Sequence, residues 1–139
     1  MVVVAIIGLV TAIALPFFFS YWKSATLKAG AEELVTLLNV ARQLAIKDNT
    51  SFCVARESSG TRIRYESGSC GGTAWTGPGT DSSGWIRLAN SVEVSAATAS
   101  VIFTYLGAAS PGGTYTVRNP TDNSTMSVVV AASGRVSIQ

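Results

Sequence analysis

The chain changes its hydrophobic pattern twice. From Met1 to Phe19 it is apolar at every position except Thr11, with Gly8 and Pro16 the only breaks in a run of Val, Ile, Leu, Ala and Phe. Such a run has no polar face, so it lacks the one-sided stripe of a helix lying on a soluble core. As a helix, residues 1–22 would reach about 33 Å, which matches a hydrocarbon core of about 30 Å. Tyr21, Trp22 and Lys23 follow at once. An aromatic pair beside a cation is the kind of anchor found where a helix leaves the membrane.

Three readings compete for this run. A cleavable signal needs a basic region before a shorter apolar stretch and small residues at the cleavage site, and none of these is present. A helix buried on all sides by its own domain needs more protein than this chain supplies. A membrane anchor, or a helix that packs all its faces against copies of itself, accounts for the pattern, and one protein can pass from the first to the second. Pro16 removes a backbone donor and crowds the preceding turn, so a kink or a loosened stretch is expected around 12–15, with Gly8 contributing.

The second pattern runs from Lys23 to Asn49. Leu27, Ala31, Leu34, Leu38, Ala41 and Ala45 recur at spacings of four and three, with Lys28, Glu32, Arg42 and Lys47 on other faces. This is an amphipathic helix continuing the first one, and Asn49 is its expected stop. The joint helix would be about 70 Å long, so half of it must project from the domain. From Thr50 the period becomes alternating. Segments 51–56 and 61–66 read as a hairpin around 57–60. Further strands are expected at 84–89, 101–106, 114–118, 126–131 and 135–138, separated by Gly, Pro, Asn and Ser clusters. The predicted fold is α+β: a long N-terminal helix, hydrophobic and then amphipathic, packed on a C-terminal antiparallel β-sheet or sandwich head. Its expected segments are 1–22 (transmembrane or filament core), 23–49 (helix packing on the head) and 50–139 (β domain).

Composition sharpens this division. The chain has 139 residues, 13% of them charged, and every charged residue lies from Lys23 onward. Cys53 and Cys70 both fall in the β region. An even count beside a membrane anchor suggests an exported compartment and one disulfide, with two buried free thiols as the alternative. Two sulfurs without histidine cannot fill a tetrahedral metal shell.

Catalytic chemistry is not indicated. The chain has no histidine, which removes Ser-His and Cys-His pairs. Glu57, Glu66, Asp81, Glu93 and Asp122 show no recurring spacing and are expected to be solvated. No glycine pattern marks a phosphate or dinucleotide loop. No catalytic, cofactor-binding or metal-binding residue is assigned. Arg62, Arg64 and Glu66 alternate and should share one strand face. Six arginines against five carboxylates after residue 49 are too balanced for a broad nucleic-acid footprint, so only a local contact stays open. Of the tryptophans in this region, Trp85 is expected in the core and Trp75 in an exposed loop.

The residues also carry a resemblance. The stretch from Met1 to Pro16 resembles the N-terminal helix of type IV pilins and type II secretion pseudopilins. Cys53, Cys70, Ser83-Gly-Trp85, the stretch from Val101-Ile-Phe103 to Gly107, and Ser133-Gly-Arg-Val136 resemble the GspH/FimT group within that superfamily. The resemblance implies the pilin fold, a leader removed by prepilin peptidase, and insertion in the inner membrane with the N-terminus toward the cytoplasm. It further implies extraction into a helical filament built on bundled apolar helices, at the cell surface or as a periplasmic pseudopilus. Met1 would follow the family's Phe-Thr-Leu-Ile-Glu-Leu start, so those few residues, with their glutamate, are expected upstream of it.

The filament core would comprise Val2, Val3, Val4, Ile6, Ile7, Leu9, Val10, Ile13, Leu15, Phe17, Phe18 and Phe19, with helix melting or a kink between Gly8 and Pro16. The expected function is a structural subunit of a type IV pilus or pilus-like filament. The alternatives are a minor pseudopilin of a type II secretion system and a DNA-binding uptake pilin. The partners would be copies of the chain and other pilins. DNA contact would fall to Arg135, although the DNA-binding Gly-Arg-x-Arg pattern is reduced here to Gly134-Arg135-Val136-Ser137, and nucleic acid is not the favoured partner.

Overall fold

A computed structural model describes residues 2–139, apart from the side chains of residues 13–17 and 96. One helix, α1, runs from Val2 to Lys47. At about 1.5 Å per residue its 46 residues extend about 69 Å. It stops where asparagine was expected to stop it. Asn49 adopts φ 49°, the Asn49 amide donates to the Ile46 carbonyl at 3.4 Å, and the Thr50 amide donates to the Ala45 carbonyl at 3.1 Å. This pairing of bonds around a left-handed residue is the Schellman arrangement, which satisfies carbonyls that the helix end would leave open.

Nine strands follow among the described residues, in two antiparallel sheets. The first contains β1 (Phe52–Arg56), β2 (Arg62–Ser67), β3 (Thr73–Ala74), β4 (Trp85–Arg87) and β6 (Val101–Phe103). Its order is β3-β2-β1-β6, with β4 also paired to β2. The second contains β5 (Glu93–Ala97), β7 (Gly113–Arg118), β8 (Thr125–Val130) and β9 (Val136–Ile138), in the order β5-β7-β8-β9. The expected hairpin is present, with Phe52 opposite Ser67 and Arg56 opposite Ile63.

Helix α1 packs on strands of both sheets. All six positions of its predicted stripe, Leu27, Ala31, Leu34, Leu38, Ala41 and Ala45, are buried. They join Phe52, Val54, Ile63, Val101, Phe103, Val117 and Val128 in one core. A helix rests here on two sheets, and buried hydroxyls tie the three layers. The Tyr115 hydroxyl, on the second sheet, donates to the Val54 carbonyl and accepts from the Val101 amide, both at 3.1 Å and both on the first sheet. The Tyr65 hydroxyl donates to the Leu37 carbonyl of the helix at 2.8 Å. Satisfying these groups matters because an unpaired buried hydroxyl carries its full desolvation cost.

Two strands escaped the sequence reading, and two were drawn at twice their length, 84–89 against Trp85–Arg87 and 101–106 against Val101–Phe103. β3 is only two residues, and β5 is carried by Glu-Val-Ser-Ala-Ala, which has a single β-branched residue and a register shift between Val94 and Ala96. The strand expected over 101–106 ends at Phe103. There the Gly107 amide donates to the Thr104 carbonyl at 2.8 Å and closes a turn, leaving Tyr105 and Leu106 outside the sheet.

Candidate assembly surface

The projecting part of α1 is uncovered. Val2, Val3, Val4, Ile6, Ile7, Leu9, Val10, Phe18 and Phe19 are all exposed, as are Tyr21 and Trp22 beyond them. The exposed Thr11 hydroxyl donates back to the Ile7 carbonyl at 2.7 Å, so its donor is satisfied within the helix. A methyl group on Gly8 would meet nothing within 4 Å. Ile13, Leu15, Phe17 and Pro16, named as filament-core and kink residues, lie outside the described residues. Among the described residues no helix is long and apolar enough to cross a membrane; the apolar run of the sequence includes residues 13–17.

The head presents a different surface. Cys53 on β1 and Cys70 in the loop after β2 form a disulfide, with Cα atoms 5.1 Å apart. Cys53 faces Glu66 across the sheet. The loop held by the disulfide returns the Gly71 amide to Glu66, which is buried at 2% exposure and paired with Arg64.

The expectation of a solvated carboxylate fails at Glu66, which is buried, while Asp81 and Asp122 are exposed and Glu57 and Glu93 partly so; what the spacing did not show is how many have a partner. Of the five in the β region, four pair with arginine: Glu57 and Asp81 with Arg62, Glu66 with Arg64, and Glu93 with Arg118. Hydrogen bonds from Arg62, and then from Ser59, pull the Glu57 pKa down to about 2. The backbone amides of Trp85 and Ser83, at 2.9 and 2.8 Å, lower that of Asp81. Asp122 is lowered by the Ser124 hydroxyl and amide, with Lys23 close enough to add to the effect.

The two tryptophans exchange the places expected for them. Arg64 is opposite Trp85 and Arg62 opposite Arg87 in the β2–β4 register, so Trp85 stands on the outer face with the arginines. The Arg64 guanidinium lies 4.7 Å from the Trp85 ring centre and that of Arg62 lies 5.6 Å from it. Trp75 instead packs on Tyr65, with ring centres 5.8 Å apart, at the edge of the core. The strand register decides the face, and local hydrophobicity does not reveal it.

Arg135 is exposed on the turn between β8 and β9. Arg42 reaches the same turn from α1: a methyl group on Gly134 would come within 3.3 Å of Arg42 Nε, and it would collide with the Gly107 carbonyl. The Gly107 and Ser133–Val136 segments singled out in the sequence thus meet in space. Among the described residues neither guanidinium has a side-chain hydrogen bond or an ion pair, and Arg42 Nε is buried without a partner. Gly107 lies against Ile46, and Ile46, Tyr105 and Leu106 are all exposed at this end of the head, which the sequence reading missed. The signal was Gly107, whose left-handed φ of 79° ends the strand early.

No match was found among curated protein sequences. Solved structures share the fold. The type IV minor pilin FimU of Pseudomonas aeruginosa strain PAO1 matches with a TM-score of 0.58 at 16% identity, covering 86% of this chain and 92% of FimU. The minor pseudopilin EpsH from the Type 2 Secretion System of Vibrio cholerae matches with a TM-score of 0.60 at 11% identity, covering 81% of this chain and 95% of EpsH. The family described as Type II transport protein GspH matches residues 30–134. That stretch takes in the docked helix from Gly30, strands β1 to β8 and the Gly107–Gly134 contact, and with it the chain belongs to the GspH family of the type IV pilin and pseudopilin superfamily.

Proposed function

We propose that the chain is a structural subunit of a type IV pilus or pilus-like extracellular filament, polymerising through its hydrophobic N-terminal helix. One observation carries this reading: a continuous helix whose second half is locked into the head while its first half leaves large apolar side chains open to solvent on every side. Exposed apolar area of that extent needs a cover, and burial stabilises by about 25 cal/mol per Å². Before assembly the cover is the inner membrane, with residues 1–22 as the embedded segment, 23–49 docked on the head and 50–139 as the head itself. After assembly it is the equivalent helices of neighbouring subunits, including Ile13, Leu15 and Phe17, with the stretch from Gly8 to Pro16 loosened.

A periplasmic pseudopilus is the second setting. The GspH family match and the EpsH fold support it, and FimU supports a pilus. The two settings differ in copy number and location rather than in chemistry. A DNA-binding role would rest on Arg135, exposed and without a side-chain partner among the described residues. Retardation of DNA that Arg135→Gln removes and that falls steeply with salt would support it. No catalytic residue, cofactor or metal enters this reading.

Deleting residues 1–22 is the direct test. We expect a soluble, monomeric head by sedimentation, while the full chain forms filaments visible by electron microscopy. Filaments formed by the deleted protein would overturn the reading.

A further inference from the structure

Where α1 leaves the head, a cleft of about 480 Å³ opens between the helix and two loops, one joining β4 to β5 and one joining β7 to β8. Its helical wall is Phe19, Trp22, Lys23 and Thr26. Their spacings of three, one and three put all four on one face of α1. The two aromatics lie toward the projecting run, and the cation and hydroxyl lie toward the head. Asn90 and Ser91 from the first loop, with Asn119 and Thr121 from the second, supply the facing wall. The cleft thus turns from apolar to polar in the direction in which the chain would pass from hydrocarbon to water.

Both loops are held in place. The Glu33 carboxylate of α1 accepts from the Ala89 amide at 3.0 and 3.1 Å and from Asn90 Nδ2 at 3.5 Å. Asn90 and Ser91 sit at φ 58° and 52°, a left-handed pair that persists only where its surroundings fix it. Asn119 is 5% exposed, and its Oδ1 accepts from the Thr121 amide at 3.0 Å. Asn119 Nδ2 is left as a donor without a hydrogen-bond partner among the described residues, in a side chain that lines the cleft. Asp122 follows Thr121, and Lys23 is near enough to lower its pKa through space, yet no ion pair joins the two among the described residues. With Glu33 behind Asn90, one cation and two carboxylates surround the cleft, a balance that suits a ligand carrying both signs of charge.

We propose that this cleft holds the headgroup of a zwitterionic phospholipid, its phosphate on Lys23 and Asn119 Nδ2, its ammonium on Asp122, and its acyl chains leaving past Phe19 and Trp22. This rests on residues 1–22 being embedded before assembly, and it adds a lipid site to that reading. With residue 22 at the hydrocarbon edge, residues 23–26 rise about 6 Å beyond it. That is one headgroup layer of a bilayer about 40–45 Å thick around a core of about 30 Å. A soluble zwitterion would satisfy the polar end of the cleft but leave Phe19 and Trp22 uncovered.

The full chain, reconstituted in vesicles of equal parts phosphatidylethanolamine and phosphatidylglycerol and released into mild detergent, tests this by native mass spectrometry of the lipid it retains. Phosphatidylethanolamine should be retained over phosphatidylglycerol by about threefold or more, and Lys23→Gln should lower its retention by a similar factor. Asp122→Lys should reverse the preference toward phosphatidylglycerol, a gain that a misfolded chain would not show. Equal retention of the two lipids by the unmodified chain, or a preference unchanged in both variants, would overturn the site while leaving the embedded segment intact. Displacement of the retained lipid by soluble glycerophosphoethanolamine at matched concentration would overturn a lipid as the occupant. A chain that alkaline carbonate washes from the vesicles would remove the embedded segment and the site together.

Discussion

The two halves of α1 are built from the same residue types and have opposite fates. Leu9 and Leu34 are both helical leucines, yet Leu9 is open to solvent and Leu34 is fully buried between the sheets. The difference lies in periodicity. From Leu27 to Ala45 a stripe of apolar residues recurs on one face and a sheet pair covers it, while before Lys23 apolar residues occupy every face and no single domain could cover them all. The docked half therefore stabilises the monomer, and the projecting half has its energy to gain only from lipid or from other chains.

That contrast can be broken by making one substitution in both places. Leu34→Ala should destabilise the head by about 2–5 kcal/mol in chemical denaturation, from lost burial and the cavity left behind. Leu9→Ala should leave the denaturation midpoint of the head within about 0.5 kcal/mol of the unmodified protein and act instead on the yield of filaments. If Leu9→Ala lowered the midpoint as far as Leu34→Ala did, the two halves would not be energetically separate.

The disulfide belongs wholly to the head and sharpens the same division. Cys53 and Cys70 are 17 residues apart in sequence, and closing such a loop restricts the unfolded chain by about 3 kcal/mol. Cys53→Ser should lower the melting temperature of the head by several degrees in oxidising buffer, with association through the projecting helix unchanged. An unchanged melting temperature would mean that the loop around Gly71 and Glu66 is held by its hydrogen bonds without the covalent link.

The sequence reading of these regions succeeded and failed for identifiable reasons. The helical stripe was legible to the residue because period and burial coincide over six positions, Leu27 to Ala45. The cysteine pair was legible as a suggestion, since an even count in an exported domain carries that meaning. The placement of Trp75 and Trp85 was not, because it depends on β4 pairing with β2 in a register that puts Trp85 opposite Arg64. The pairing of Glu57, Asp81 and Glu93 with arginines was equally hidden, since Asp81 and Glu93 lie 19 and 25 residues from their partners. The exposure of Tyr105 and Leu106 was hidden by a strand drawn through Leu106, although Gly107 marked where it had to stop.

Gly134 probes that end of the head. It adopts φ 80°, and a methyl group there would strike the Gly107 carbonyl. Gly134→Ala should destabilise the head by about 1–3 kcal/mol through backbone strain and the forced separation of the two turns. Calorimetry of the head alone measures this, and a neutral result would show that the turn has room to move.

The smallest effect separates the halves by pH. Residues 1–22 contain no carboxylate, whereas the head contains several that acid can protonate. Glu57 has its pKa drawn from 4.5 to about 2, first by Arg62 and then by Ser59. A carboxylate depressed on folding contributes stability that is fully present above its unfolded value and is lost as pH falls through the folded one. The contribution of Glu57 is therefore intact above about pH 5 and disappears as the pH approaches 2. Because the pair is partly open to solvent and screened, the effect is modest. Urea midpoints of the head should differ between the unmodified protein and Glu57→Gln at pH 6 and converge near pH 2. A gap that stayed constant over that range would remove the Arg62 pairing as its cause.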